Sequence, residues 1–315
     1  MPEVDVWRAL ARALESGREC AVLAVTDSRG SSPGRRGAVM AVGTTGPLAG
    51  TIGGGVAESR LVDQVAADLR AGSLAPRRVR LAHQEGATDA SGMICGGSQV
   101  VVVAPLHDGQ RADVAVMVEA LAAGRPVTWS IDPNGWQILP EGVPRSHPGP
   151  EAPAWSSEVR SGPTHVVHVI GAGHVGSALV PLLVALDFRV VVVDERPGLA
   201  PLAADIGAHE RVVRPYEELA GVVVPGPTSF AAIMTHSHER DTVALGALEP
   251  LELGYLGLLG SRAKVRRIVG ERVMPAWFHA PMGLPIASAT PAEIAVSIAA
   301  ERVSVRGAAR RDTTG

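Results

Sequence analysis

Residues 164–197 read THVVHVIGAGHVGSALVPLLVALDFRVVVVDERP, and this stretch decides the fold. The apolar, β-branched run at 165–170 has the length of a buried parallel strand. A glycine turn follows it, residues 175–186 repeat apolar side chains at helical spacing, and a second apolar strand ends on Asp194. Strand, glycine turn, helix, strand and terminal acid in this order predict a Rossmann βαβ unit.

The glycine turn of this unit is typical of dinucleotide binding. Gly173 lets a pyrophosphate approach the backbone, the start of the helix favours an anion, and Asp194 can accept a hydrogen bond from a ribose hydroxyl. The same glycines can instead serve packing alone, so nucleotide binding stays open at this point. The candidate residues are Gly171, Gly173, His174, Gly176, Asp194 and Arg196.

The composition is that of a globular protein with room for two cores. The 315 residues are 46% hydrophobic and 19% charged, which suits two domains. A net charge of −3 and an aromatic content of 3% argue against nucleic-acid binding. No apolar run is long enough for a transmembrane helix and no leader is recognisable, so we expect a cytoplasmic protein without membrane contact.

The sequence predicts an α/β protein of two domains. Residues 1–139 mix helical and strand patterns and form an N-terminal mixed α/β domain. Residues 140–163 contain six prolines without periodicity and read as a linker. A Rossmann-like, doubly wound parallel-sheet domain is expected over 164–305, followed by a flexible tail at 306–315.

A second glycine turn lies in the N-terminal half, at residues 48–59, LAGTIGGGVAES. Three consecutive glycines at 53–55 separate a predicted strand from a predicted helix over 56–69. Such a turn exposes backbone donors to an anion or lets another part of the chain approach closely. Glu58 falls in the first turn of the helix, where the helix dipole favours a carboxylate.

The chain has two cysteines, too few for a disulfide framework. Cys20 belongs to the apolar run CAVLAV, and we expect it to be buried. Cys95 precedes two glycines and a four-valine strand, so its sulfur can be accessible at a turn. A buried, unreactive cysteine fits that pattern as well.

Two polar clusters follow predicted strands of the C-terminal half. Residues 236–241, HSHERD, stand where open parallel sheets bind ligands, and these side chains can hold a metal or cap the next helix. Residues 261–264 open a basic helix, which suits an anion or a solvated positive face. The candidate residues are His236, His238, Asp241, Ser261, Arg262 and Lys264.

Eight stretches carry one combined pattern: GSSPGRRGAVM (30–40), GTIGGGVAE (50–58), MICGGSQVVVV (93–103), HVIGAGHVGSAL (168–179), VVVVDERP (190–197), MTHSHERD (234–241), YLGLLGSRAKV (255–265) and PMGLPIASATPAEIAVSIAAE (281–301). In this order they resemble the XdhC/CoxI family, the xanthine dehydrogenase accessory factors. The resemblance covers nearly the whole chain, and ordinary dehydrogenases do not combine these motifs.

The resemblance implies a chaperone that binds the molybdenum cofactor (molybdopterin), favours its sulfurated form and delivers it. The client would be a molybdenum hydroxylase such as xanthine or carbon monoxide dehydrogenase. The family is not understood to turn over substrate itself. We also expect a cysteine desulfurase as the partner that donates the sulfur. Delivery to dimeric clients would suit a dimeric carrier, so we expect the protein to form a homodimer.

Motif by motif, the resemblance assigns cofactor binding to the Rossmann turn and to Ser31, Ser32, Gly53, Gly54, Gly55, Glu58, Cys95, Gly96 and Gly97. The glycine turns, Arg35, Arg36 and the cluster at 261–264 offer donors that suit the phosphate of a pterin cofactor. We assign Cys95 as the metal ligand because a thiolate suits transition metals. Many family members read GGGC where this chain has Val56, so it either lacks that thiol function or relies on Cys95.

Two enzyme classes compete with the accessory role. The Rossmann turn supports an NAD(P)-dependent oxidoreductase, although the residues alone assign no proton donor and substrate clamp. A metal hydrolase built on His236, His238 and Asp241 would need a barrel and further ligands, and a single Rossmann-like sheet argues against it.

Overall fold

The computed structural model describes residues 2–30, 32–82, 97–140, 154–199 and 207–312. The chain forms two compact units, Met1–Gly162 and Pro163–Gly315. Within the described ranges, none of the helices has both the length and the apolar character needed to cross a bilayer.

The first unit is built on a five-stranded antiparallel sheet. Strands β1 to β5 are Cys20–Arg29, Val39–Gly43, Gly46–Gly50, Arg77–Ala82 and Ser98–Leu106, in the spatial order β3-β2-β1-β5-β4. The helices are α1 (Glu3–Glu15), α2 (Gly55–Arg70) and α3 (Arg111–Ala122). Strands β6 (Val127–Asp132), β7 (Gly135–Ile138) and β8 (Ser157–Ser161) form a smaller sheet in the order β7-β6-β8.

The central strand β1 is buried on both faces, which explains its unbroken apolar run. Cys20 and Val22 pack with α1 and α3, whereas Ala21 and Leu23 pack with α2. Successive side chains of a strand point to opposite faces, so one apolar strand supplies both cores. The sheet is therefore the middle of three layers.

The second unit is built on a six-stranded parallel sheet. Strands β9 to β14 are Val166–Ile170, Arg189–Asp194, Glu210–Val213, Gly226–Ile233, Leu253–Leu258 and Phe278–His279, in the order β11-β10-β9-β12-β13-β14. The helices are α4 (His174–Ala185), α5 (His238–Leu248), α6 (Arg262–Val269) and α7 (Pro291–Asp312). Counted from β9, the strand order is the 3-2-1-4-5-6 of Rossmann domains, which confirms the predicted fold class.

Two segments differ from what local sequence indicates. Strand β8 lies inside the proline-rich stretch that was expected to be a linker. Its residues form a strand because they pair with β6, and the local sequence pattern does not reveal this pairing. Helix α7 continues to Asp312, through most of the expected tail. Alanine and arginine, which favour helix, carry it on past its apolar face.

A buried polar cluster fastens α7 to the sheet of the second unit. Glu301 accepts hydrogen bonds from the Tyr255 hydroxyl and from the N–H of Gly283 at 2.8 Å. It also lies 3.4 Å from His279 Nδ1 and 3.3 Å from Arg302 Nη2. Burial by itself would raise the pKa of Glu301, but these hydrogen bonds and the charge of Arg302 outweigh it and lower the pKa to about 2.

This cluster is expected to make the protein acid-sensitive. The pKa of Glu301 is depressed below its ordinary 4.5. The stability that its ionised carboxylate gives to the folded protein is therefore complete well above pH 4.5 and is lost as the pH falls towards 2. Between pH 6 and pH 3.5 the loss amounts to about 1.5 kcal/mol. Urea unfolding at the two pH values measures it, and Glu301→Gln should reduce the difference by this amount. The exposed Glu271→Gln is the control, and an unchanged difference in Glu301→Gln would contradict the assignment.

Candidate functional site

In the first unit, the side chain of Gln99 joins two of the predicted loops. Gln99 lies on β5 and is 3% exposed. Its Oε1 accepts hydrogen bonds from Ser32 Oγ at 2.9 Å and from the N–H of Gly34 at 3.1 Å, while its Nε2 donates to the Ile52 carbonyl at 3.0 Å. Gly97 is buried two residues before Gln99. Three of the predicted motifs therefore meet at this amide.

The two loops approach each other so closely that only glycine fits at their contact. A Cβ atom on Gly34 would lie 2.0 Å from the Ile52 carbonyl oxygen, and one on Gly53 would lie 2.6 Å from the Gly34 nitrogen. Gly53 also has a φ of +136°, which other residues rarely adopt. Close approach of another part of the chain, one of the two uses predicted for this turn, is therefore realised.

Glu58 occupies the anion position of the glycine turn with its own carboxylate. Its Oε2 accepts hydrogen bonds from Thr51 Oγ1 at 2.6 Å and from the N–H groups of Ile52 and Gly54 at 2.7 and 2.9 Å. The acid also stands at the positive end of α2. These donors are thus taken by the chain itself, and the first-turn N–H groups of α2 beyond them begin at the exposed Gly55.

Cys20 is not available for thiol chemistry. Cys20 is fully buried in β1, as predicted, and burial raises the pKa of its thiol to about 12, so it stays protonated at neutral pH. Cys95, Gly96 and Ser31 lie outside the described residues, and their roles stay predictions. Val56, at the position of the cysteine in GGGC, is 47% exposed.

In the second unit, the glycine turn lies where the strand order reverses, between β9 and β12. A Cβ atom on Gly171 would lie 2.5 Å from the Met234 carbonyl oxygen, and one on Gly176 would lie 2.4 Å from the Gly171 oxygen. Nothing lies within 4 Å of a Cβ on Gly173, and His174 beside it is exposed. Gly171 and Gly176 therefore serve packing, whereas Gly173 borders the crevice in which such sheets bind ligands.

Asp194, at the end of β10, has all its acceptor positions in use. Its Oδ1 accepts from the N–H and the Nε of Arg196, and its Oδ2 accepts from Arg196 Nη2 and the N–H of Ala172. Burial by itself would raise the pKa of Asp194, but these contacts with Arg196 and Ala172 lower it. A carboxylate offers about four acceptor sites, so a ribose hydroxyl reaches Asp194 only if Arg196 moves.

The two polar clusters of this unit converge on Asp241, which is fully buried. Its Oδ1 accepts from the N–H and the Oγ1 of Thr235 at 2.9 and 2.7 Å, and its Oδ2 pairs with Lys264. Ser261 caps α6 by accepting from the Lys264 N–H at 3.2 Å, and Arg262 is exposed. The clusters at 236–241 and 261–264 are thus one structural unit that holds the loop after β12 in place.

The two histidines of this loop do not meet Asp241. His236 is exposed, and His238 Nε2 lies 2.8 Å from Glu239 Oε1. Within the described ranges, no group of three or more His, Cys, Asp or Glu side chains is arranged to hold a metal. Helix α5 is capped, but by Ser237, which accepts from the Arg240 N–H at 3.2 Å, and not by the two histidines and the acid that the sequence suggested for this role.

Sequence reasoning missed the residues that organise these sites. Gln99 had a detectable signal, because it is a lone amide in an apolar strand, and buried polar groups need partners. Thr51 and Thr235 had no such signal, since each acts through a carboxylate that only the folded loop brings near.

Each of the two units matches a known protein family. Residues 167–302 match the XdhC Rossmann domain, and residues 13–80 match the XdhC and CoxI family. The two matches fall in different units and together span most of the described secondary structure.

Three similar proteins extend this comparison over the full length. A probable xanthine dehydrogenase subunit of Bacillus subtilis is 25% identical, over 93% of this chain and 95% of its own. The uncharacterised protein YqeB of Escherichia coli is 29% identical over 96% of this chain but only 46% of its own length. The fold is that of a crystal structure described as a xanthine dehydrogenase of Bacillus halodurans, with a TM-score of 0.74, 24% identity and coverage of 98% and 96% of the two chains.

Proposed function

Because the chain belongs to the XdhC and CoxI family, we propose that it is an accessory factor of a xanthine dehydrogenase-type molybdenum hydroxylase. In this role it binds the molybdenum cofactor, protects it, helps to sulfurate it and delivers it to the client enzyme. A relative of similar length carries the name of a probable xanthine dehydrogenase subunit, which supports the choice of client.

The observation that carries the proposal is the junction at Gln99. Its three hydrogen bonds bring the loop of Ser32 and the turn of Gly53 to one place, beside the start of β5, which Gly97 precedes. Rigid loops that border exposed backbone donors suit a pterin with an anionic group. Cys95 precedes Gly97 by two residues in the sequence, and its thiolate would be the soft ligand for molybdenum or sulfur.

The test is the pterin content of the protein after expression in a host that makes molybdopterin. Bound pterin is oxidised to its fluorescent derivative and quantified. We expect near-stoichiometric pterin in the wild type and loss of most of it in Cys95→Ala, because the metal loses its thiolate ligand. Delivery is measured as activation of a cofactor-free client enzyme.

Cys20→Ala is the matched control, since it removes a thiol that burial keeps protonated; it should retain the pterin. Undiminished retention and delivery by Cys95→Ala would remove Cys95 from the mechanism. Absence of pterin from the wild type would overturn cofactor binding altogether.

The strand order of the second unit and the open side of Gly173 favour a dinucleotide as an alternative ligand. The oxidoreductase function therefore stays as the second candidate. If it holds, denatured protein releases NAD(P) and no pterin, and saturating NAD(P) raises the melting temperature. If neither NAD nor NADP raises the melting temperature, the result counts against the oxidoreductase function.

A further inference from the structure

A cavity of about 370 Å³ opens in the first unit between β1 and the smaller sheet. Val25 and Val159 supply apolar lining, and Thr26 and Thr128 supply hydroxyls. Three charged side chains, Arg36, Glu158 and Arg160, complete the lining, and all three are exposed. The volume is within the range of small-molecule sites. Arg36 is one of the donors that suit a pterin phosphate, whereas the other lining residues belong to none of the sites described above.

Strand pairing accounts for the polar side of the cavity. Thr128 of β6 is the direct cross-strand partner of Arg160 of β8, so their side chains share one face of the sheet. On the other side, the register of β1 against β5 shifts between Val25 and Asp27. Such an irregularity re-aims the side chains next to it.

The segment that carries Arg36 is held to β1 by backbone hydrogen bonds. The N–H of Gly37 donates to the Val25 carbonyl at 2.8 Å, and the N–H of Val25 donates to the Ala38 carbonyl at 2.9 Å. Arg36 is therefore fixed at its Cα beside the cavity, whereas its guanidinium is free to adjust to a ligand.

The charge of the lining is net positive. In the part of the chain that the structure describes, no ion pair or side-chain hydrogen bond joins Arg36 or Arg160 to another residue. Glu158 is different, since it is engaged in an interaction of its own. Among the described residues these two guanidinium groups have no carboxylate partner, and from the lining of one concave site they offer donors to an anion.

We propose that this cavity binds a phosphate monoester, whose phosphate oxygens pair with the guanidinium groups of Arg36 and Arg160. The Thr128 hydroxyl donates to the same group, and the apolar lining accommodates the organic part of the ligand. The proposal rests on the cavity; it deepens the accessory function if the ligand is molybdopterin and is separate from that function if the ligand is another phosphate monoester. Molybdopterin and nucleoside monophosphates share the required chemistry.

Calorimetric titration of the full chain with AMP, inorganic phosphate and adenosine tests the proposal. We expect AMP and phosphate to bind, adenosine not to bind, and affinity to fall with added salt. Arg36→Ala and Arg160→Ala should each weaken AMP binding about tenfold, the effect of one lost charge-assisted hydrogen bond. Arg12→Ala removes an equal charge from the exposed face of α1 and should leave the affinity unchanged.

Both cavity arginines are exposed, so the variants are expected to keep the wild-type melting temperature. No AMP binding by the wild type, or equal affinity in both variants and the wild type, would overturn the proposal. Pterin content of the two variants separates the sources: a matching loss identifies the cofactor as the ligand, and unchanged pterin with weakened AMP binding identifies another phosphorylated metabolite. Wild type that binds phosphate but holds no pterin would overturn cofactor binding and leave the phosphate site in place.

Discussion

Replacing Gly171 by alanine is expected to lower the free energy of unfolding of the second unit by about 3 kcal/mol. The new Cβ atom would stand 2.5 Å from the Met234 carbonyl oxygen and 2.9 Å from its carbon, and backbone atoms between two sheet strands cannot move aside cheaply. The φ of +110° adds strain for any residue with a Cβ. Thermal unfolding should show a decrease of roughly 10 °C.

Gly173→Ala is the matched control in the same turn. Nothing lies within 4 Å of its added Cβ, and its φ of −76° suits any residue, so the melting temperature should stay within about 1 °C. If the crevice binds an anionic ligand, however, this variant should weaken binding, because the methyl group enters the space that ligand needs. Equal stability of the two variants would contradict the close contact between the turn and Met234, the residue after β12.

Replacing Gln99 by leucine is expected to destabilise the first unit by about 3 kcal/mol. Leucine keeps the volume but leaves the buried N–H of Gly34 and the carbonyl of Ile52 without their partners. Each unsatisfied buried group costs about 1–3 kcal/mol, which exceeds the value of the hydrogen bond itself. Urea unfolding measures the loss, and pterin content should fall with it because the two loops are no longer fastened together.

Gln137→Leu makes the same chemical change at an exposed position of β7, where the amide forms one hydrogen bond of 3.3 Å to Ser130. Its effect should stay below about 0.5 kcal/mol. A Gln99→Leu variant as stable as Gln137→Leu would show that the junction is not held by this amide. Loss of pterin without loss of stability would place Gln99 in ligand contact instead.

The Rossmann unit was predictable because its signals are local. The apolar run of β9, the glycines of the turn and the helical period of α4 lie within one short stretch, and each reports the backbone conformation it needs. The burial of Cys20 followed in the same way from a strand without polar interruptions.

The site contacts were not predictable, because they join residues far apart in the chain. Gln99 reaches Ser32 and Ile52 across 67 and 47 positions, and nothing in the neighbouring sequence specifies these partners. Asp194 was read as a ribose acceptor from its place at a strand end. Its engagement by Arg196 depends on side-chain directions that a motif does not encode.

The carboxylate of Glu58 at the glycine turn has a consequence for release. An anion that takes the N–H groups of Ile52 and Gly54 must displace a competitor that is tethered to the same helix and cannot diffuse away. A tethered competitor acts at a high effective concentration. The Glu58 carboxylate therefore lowers the affinity of the site for an external anion, and it rebinds the two N–H groups as soon as that anion begins to dissociate. In the accessory role that we propose, a site closed by its own carboxylate would favour transfer of the bound cofactor over its storage.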